Sequence, residues 1–389
     1  MVCDFYHDDQ QYQENSLVKY YLKHGHDVIV IASTFTSIFE YYSDEYCKTN
    51  SRTVENLRGY QLIREPYSIN VFNRLRKLVS FEKLLNDFVP DLIFVHGIPL
   101  NLIDPVAYKR KHPKVRLVYD SHADYTNSAL NYISLNVLHK IIYRGILRKF
   151  KKYINDFYHV TPEGGLFCEQ VYNIGRNNLS LLPLGADLDV IASVDKSEAR
   201  NRVRGNLGID PSDFVIVTGG KITRRKKLDL LISAFQLMQS QTAHLVIFGD
   251  SNDQALKDEI LSLIEGDSRI HFVGWVKGLQ VNDYFFASDV AVFPSSRSQS
   301  VLWQQAIGAG LPLILERSSV ADPSYLNRHN NIILIDEIEM SAQMILKELT
   351  GLHDDPNLLL DMRRGAKLTT DEILSYEKIA ERTLGAIDA

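Results

Sequence analysis

Between Phe214 and Phe235 the chain reads FVIVTGGKITRRKKLDLLISAF, and here residue type and spacing point most directly to chemistry. Phe214–Val217 is a short apolar run of the kind that forms a buried strand, and Leu228, Leu231, Ile232 and Phe235 recur at helical spacing. The turn between them holds Gly219, Gly220 and the cations Lys221, Arg224, Arg225, Lys226 and Lys227. A glycine pair admits a ligand close to the backbone, a helix start offers free N–H groups at its positive end, and the side chains add full charge. That combination suits a diphosphate. Taken alone, a solvated basic turn is the simpler reading, so the rest of the chain must decide.

A second stretch, Pro294-Ser295-Ser296-Arg297-Ser298-Gln299-Ser300, runs into an expected helix Val301–Ile307. Hydroxyls and free backbone N–H groups converge there, as an anion site requires, although serines also serve simply as helix caps. In the first half, Asp120-Ser121-His122-Ala123-Asp124 closes an apolar run. A strand-end histidine taken alone is more often structural.

These residues need elements to hold them. Apolar runs at Asp27–Ser33, Asp91–Gly97 and Val115–His122, from Asp156, and ending at Gly185 read as strands. So do Phe214–Thr218, Leu245–Phe248, Ile270–Val273, Val290–Phe293, Leu313–Leu315 and Ile332–Ile335. Helical stretches alternate with them, including Gln13–His24 and one around Val71–Phe88, which is the pattern of parallel sheets covered on both faces. The opening MVCDFYHDD reads as the end of a strand, and the tyrosine-rich segment before Val71 has no clear assignment. At 389 residues two domains are expected: residues 1–190, residues 191–370, and a C-terminal helix in 371–389 that packs back on both. Two doubly wound, Rossmann-like domains facing each other leave a cleft at the carboxyl ends of their strands, where such sheets bind ligands.

Composition narrows the classes. The chain is 45% hydrophobic and 23% charged, as ordinary globular proteins are, and its formal net charge of -5 argues against nucleic acid as the main partner. Cys3, Cys47 and Cys168 lack metal-ligand spacing, no metal site is legible, and three unpaired thiols fit a cytoplasmic setting. No apolar run is long enough to span a bilayer, and the N-terminus lacks a signal pattern.

The order of the glycine-and-cation loop, then HFVGWV, SDVAVFPSS and QAIGAGLPLI, resembles the retaining nucleotide-sugar glycosyltransferases of family 4, which have the GT-B fold. The resemblance covers most of the chain and is strongest from Phe214 to Ile314. It implies that Gly220 and Lys221 with Lys226 contact the diphosphate of a nucleotide-sugar donor, UDP ahead of GDP. Fixed cations there would stabilise a departing diphosphate as a metal does elsewhere. The family's pair of glutamates seven residues apart is altered: Arg297 stands at the first position and Gln305 at the second. Gln305 can still hydrogen-bond two ribose hydroxyls as a neutral amide. Arg297 reverses the charge near the donor sugar, which fits either an acidic or phosphate-bearing donor group or a loss of transfer. Ser298, Ser300 and Val301 complete the donor side.

The resemblance also makes His122 a contact to the donor sugar or its phosphate. Asp124 is placed to hold His122 or an acceptor hydroxyl, and Gln13, Glu14 and His96 are acceptor-side candidates. Leu138–Tyr153 is basic and amphipathic, with no acid from Tyr125 to Asn155. It would rest on anionic lipid at the inner face of a membrane, or its apolar residues face the core and its cations face water. The expected activity is metal-independent transfer of a sugar, with anomeric retention, to a glycan or lipid-linked acceptor in polysaccharide or glycolipid biosynthesis. A non-catalytic GT-B subunit assisting a partner transferase is the alternative. A nicotinamide-dependent dehydrogenase fits poorly, because no G-x-G-x-x-G follows an expected strand.

Overall fold

The structure is a computed structural model that describes residues 1–8, 12–37, 40–41, 51–295, 301–319 and 321–385. The chain divides into two compact units, Met1–Leu184 with Tyr376–Ala389, and Gly185–Ser375. The expected divisions at 190/191 and 370/371 compare with 184/185 and 375/376. The chain's final described helix, Tyr376–Leu384, starts after the extended Ser375 and packs within the first unit. There Lys23 pairs with Glu377 at 3.0 Å, and the hydroxyls of Tyr21 and Thr383 lie 2.6 Å apart.

The first unit is built on β1 (Val28–Ser33), β2 (Thr53–Leu57), β3 (Tyr60–Glu65), β6 (Leu92–His96), β7 (Arg116–Ser121), β8 (Asp156–His159) and β9 (Ser180–Leu181). β1, β3 and β2 are neighbours in one row and β6 to β9 in another. Val2 joins the rows, bridging in parallel to Ile31 and to Val95. Backbone hydrogen bonds from Met1 to Asp4 tie this stretch to both rows, and Val2 and Cys3 are fully enclosed. Among these seven strands all pairs except β2 with β3 are parallel, and the inner positions Val30, Phe94, Val118 and Phe157 are buried.

The tyrosine-rich segment contributes β2 and β3, and the helix expected around Val71–Phe88 shrinks to Glu82–Phe88. Its first half is the hairpin of β4 (Tyr67–Val71) and β5 (Leu75–Leu78). Phe72 and Asn73 take φ of 52° and 54° at the turn, and the alternation that buries Arg76 and Leu78 wins over helical spacing.

The second unit holds β10 (Phe214–Gly219), β11 (Ala243–Phe248), β12 (Ile270–Gly274), β13 (Val290–Phe293), β14 (Leu313–Arg317) and β15 (Ile332–Asp336) in one parallel sheet. The order is β12-β11-β10-β13-β14-β15. The chain thus runs outward from β10 to one edge, returns to the centre and runs outward to the other. Order reverses between β10 and β13, and the crevice outside their carboxyl ends is where such sheets accept ligands. Both faces are covered, with Leu231, Ile232 and Phe235 on one and Phe285, Ala306 and Ile307 on the other.

Candidate functional site

In the second unit the groups that could hold an anion gather at that reversal. A depression beyond the ends of β10 and β13 is lined by Thr218, Gly219, Lys221, Ile222, Lys226, Leu228, Phe293 and Pro294. The loop leading into it is tightly laced to its neighbours. Gly220 N donates to Phe248 O at 3.1 Å, Ile222 N to Asp250 O at 2.8 Å and Gly249 N to Gly274 O at 2.7 Å. Gly220 has φ of +99°, and a methyl group added there would meet Leu302 Cδ1 at 2.6 Å. The glycine loop therefore lies directly against the start of the helix Val301–Gly308, so two strand ends and a helix N-terminus share one place.

The five cations of the loop have different fates. Arg224 pairs with Glu259 at 2.8 Å on the surface, Arg225 is exposed, and Lys227 pairs with the fully buried Glu316. Lys221 and Lys226 line the depression. Burial lowers the Lys226 ammonium below its ordinary range with no anion to offset it, and no hydrogen bond or ion pair reaches it among the described residues. A desolvated cation without a partner is costly to keep, and an anionic ligand would relieve that cost.

Arg297, Ser298 and Ser300 lie outside the described residues. Val301 begins the helix as expected, and Gln305 sits on it half-buried. Gln304, beside it, is buried with its Oε1 unpartnered, a group that the sequence did not single out.

In the first unit three of the candidates, Glu14, His96 and His122, meet around Asp120 at the carboxyl edge of the sheet. His96 ends β6 and Asp120 lies opposite it in the β6–β7 register. Asp120 is fully buried, and its Oδ2 lies 3.1 Å from His96 Nδ1 and 3.1 Å from His122 Nε2. The two imidazole rings are 4.2 Å apart, and Glu14 Oε2 approaches His96 Nε2 at 3.9 Å. Burial opposes the charged form of His96, but Asp120 reverses this with help from Glu14 and Asp4, raising its pKa to about 9. Burial also opposes the charge on Asp120, and the two histidines outweigh it, holding its carboxyl well below the usual range. Gln13, at the start of the first helix, is buried with both side-chain polar atoms unpartnered among the described residues.

Asp124 does not hold His122. Its Oδ1 accepts from Thr126 N, Thr126 Oγ1 and Asn127 N at 2.6 to 2.8 Å, so it organises the turn that follows. The holding role falls to Asp120, which the sequence reading missed. Aligning DLIFVH with VRLVYD as neighbouring parallel strands would have put His96 beside Asp120.

One further convergence was not foreseen. Ligand-type atoms of His96, Asp120 and His122 lie within 4.8 Å of one another, close enough for one metal ion. With the pKa of His96 raised to about 9 by the neighbouring carboxylates, an ion bound there would have to displace a proton from His96. Among the described residues no helix is long and apolar enough to cross a membrane.

Residues 213–350 match the protein family described as "Glycosyl transferases group 1". An alpha-monoglucosyldiacylglycerol synthase from Acholeplasma laidlawii is 24% identical over 278 residues, 68% of this chain and 66% of that protein. A D-inositol 3-phosphate glycosyltransferase from Pseudarthrobacter chlorophenolicus is 25% identical over 204 residues, 51% of this chain and 47% of that protein. The matches thus span about half to two thirds of these relatives. Among solved structures, Anabaena HepE in complex with UDP superposes with a TM-score of 0.71 at 13% identity, over 98% of this chain and 96% of that one. Sucrose-phosphate synthase from Thermosynechococcus elongatus gives 0.65 at 15% identity, over 98% and 96%. The chain therefore has the GT-B fold of such enzymes, and its segment 213–350 matches the glycosyl transferases group 1 family.

Proposed function

We propose that this protein transfers a sugar from a nucleotide-diphosphate sugar to a glycan or lipid-linked acceptor, with retention at the anomeric carbon, from the cytoplasmic side of a membrane. One observation carries the reading. Lys226, half-buried and unpaired among the described residues, shares the depression at the β10–β13 reversal with Lys221, beside the start of the helix at Val301.

Breaking the sugar–phosphate bond leaves negative charge on the departing diphosphate. Lys221, Lys226 and the positive end of the helix that begins at Val301 meet that charge where it develops, as a metal ion does in other transferases. Gly220 leaves room for the phosphates to approach the backbone, and Gln305 offers an amide to the ribose hydroxyls. UDP is the nucleotide favoured, since HepE is a structural neighbour whose complex contains it. His122, held by Asp120, is assigned to the donor sugar by the family resemblance alone, and His96, Glu14 and Gln13 to the acceptor. A role in polysaccharide or glycolipid biosynthesis fits the relatives named above.

The test is nucleotide release from a panel of nucleotide sugars, with the product's anomeric configuration read by proton NMR. Release that falls about 10- to 100-fold in kcat/KM in Lys226→Ala supports the reading. Tight binding of UDP with neither transfer nor hydrolysis would instead favour a non-catalytic subunit, the alternative that Arg297 and Gln305 keep open. An inverted product would remove the claim of retention.

A further inference from the structure

The connection between β7 and β8 carries an apolar surface that the donor chemistry does not use. Because β7 and β8 are parallel, the chain after Ser121 must travel from the carboxyl edge of the sheet back to its amino edge. The first half of that connection therefore lies at the edge holding His96, Asp120 and His122. A π-helix, Ser134–Tyr143, continued by the helix Arg144–Phe150, makes the return. Helical turns of this wide kind are rare and concentrate at functional sites.

One face of this run is committed to the core. His139 and Tyr143 are buried, His139 Nδ1 lies 2.8 Å from the Tyr172 hydroxyl, and the Tyr143 hydroxyl donates to Arg74 O at 3.1 Å. Leu135, Leu138, Ile142 and Ile146 pack beside them. The opposite face is just as apolar and stays bare. Ile133, Val137 and Ile141, spaced four apart, are 71%, 42% and 66% exposed, and Leu130 and Tyr132 are exposed just ahead of them. A stripe of this kind marks contact with another apolar phase.

Its charge setting selects the phase. Arg148, Lys149, Lys151 and Lys152 are exposed further along the same run, and no acid occurs from Tyr125 to Asn155. A second copy of this chain meeting the stripe face to face would bring like charges together. A bilayer with anionic headgroups instead receives the apolar side chains at the acyl boundary and the cations on its phosphates. The apolar contact expected within 138–153 is thus displaced: Ile142, Ile146, Leu147 and Phe150 turn toward the core, and the bare residues begin upstream.

We infer that Leu130, Tyr132, Ile133, Val137 and Ile141 form a wedge that enters the interface of an anionic membrane, with Arg148, Lys149, Lys151 and Lys152 on its headgroups. Joined to the glycosyl-transfer reading, on which this last step rests, the wedge sets the His122 edge of the first unit against the lipid that carries the acceptor.

The experiment sediments the whole protein with vesicles of phosphatidylcholine alone and with phosphatidylglycerol added. Wild type pellets with the anionic vesicles. Each of Lys149→Glu, Lys151→Glu and Lys152→Glu lowers partitioning about fivefold. Ile133→Asp combined with Ile141→Asp lowers it more than about tenfold, with the melting temperature and nucleotide-sugar hydrolysis unchanged because both side chains are solvent-exposed and outside the donor site. Wild type left in the supernatant with both vesicles would overturn the proposal, as would the double variant sedimenting like wild type. A lipid-free dimer dissolved by the same pair of substitutions would reassign the stripe to a second copy. Vesicle binding without any nucleotide-sugar turnover keeps the wedge and removes the transferase reading; turnover without vesicle binding does the reverse.

Discussion

Lys227 pairs with Glu316, a carboxylate with no solvent exposure, while Lys226, its neighbour in the chain, lines the depression without a partner among the described residues. Lys227 has φ of 51°, and this left-handed turn lets consecutive side chains serve different ends. One lysine holds the loop to β14 and the other is left for a ligand.

That division separates stability from binding. Lys227→Ala removes the cation paired with the buried Glu316 and lowers stability by about 2 to 4 kcal/mol. Lys226→Ala removes a half-buried charge without a partner among the described residues, so stability holds or rises, yet UDP affinity falls about 10- to 100-fold. Chemical denaturation and isothermal titration of both variants check this. Loss of UDP binding in both with unequal stability would still fit, whereas full UDP affinity in Lys226→Ala would remove the phosphate site.

Much of this was legible beforehand, for a physical reason. Buried parallel strands are continuous apolar runs, so β10, β13 and β14 stand out in the sequence, and the turns between strand and helix must hold whatever binds. The fates of Arg224, Lys226 and Lys227 were not legible, because three adjacent cations look alike until Glu259 and Glu316 are placed in space. Asp120 escaped notice since its role depends on register with His96, and Asp124 drew attention only by its nearness to His122 in sequence. The β4–β5 hairpin was missed because Leu75 and Leu78, three apart, satisfy a helical spacing while the local alternation satisfies a strand.

Gly249 has φ of +113°, and a methyl group there would overlap the carbonyl oxygen of Gly220. Backbone cannot step aside as a side chain can. Gly249→Ala therefore costs on the order of 2 to 4 kcal/mol and distorts the Gly220 turn, weakening UDP binding as well. Gly220→Ala strains the same φ region but meets the flexible end of Leu302, so its steric cost is smaller. Melting curves of the two variants, with and without UDP, give the order; an unaffected Gly249→Ala would contradict the close approach of these two loops.

Gln305 offers a neutral amide on the helix that begins at Val301. If it holds the ribose equally in ground and transition states, Gln305→Ala raises KM for the donor about 5- to 20-fold and leaves kcat nearly unchanged. A fall in kcat at constant KM would place Gln305 in the chemical step instead.

Protonation at the His96–Asp120 pair makes the first unit sensitive to pH with a defined sign. Burial lowers the pKa of His96, but Asp120, Glu14 and Asp4 together raise it from 6.5 to about 9, so folding favours the imidazolium. A group raised on folding contributes stability that is complete below its unfolded value and disappears as pH climbs through the folded one. His96 therefore stabilises the unit fully below about pH 6.5 and ceases to do so above about 9. Asp120 is depressed by the two histidines against its burial, so its contribution is present above its unfolded value of 3.8 and fades only in stronger acid. At constant ionic strength the melting temperature of wild type should fall between pH 6.5 and 9.5. His96→Gln removes the titrating group and flattens that fall, and Asp120→Asn flattens it by returning His96 toward its ordinary value. Parallel curves for wild type and both variants would show that His96 is not protonated in the folded protein.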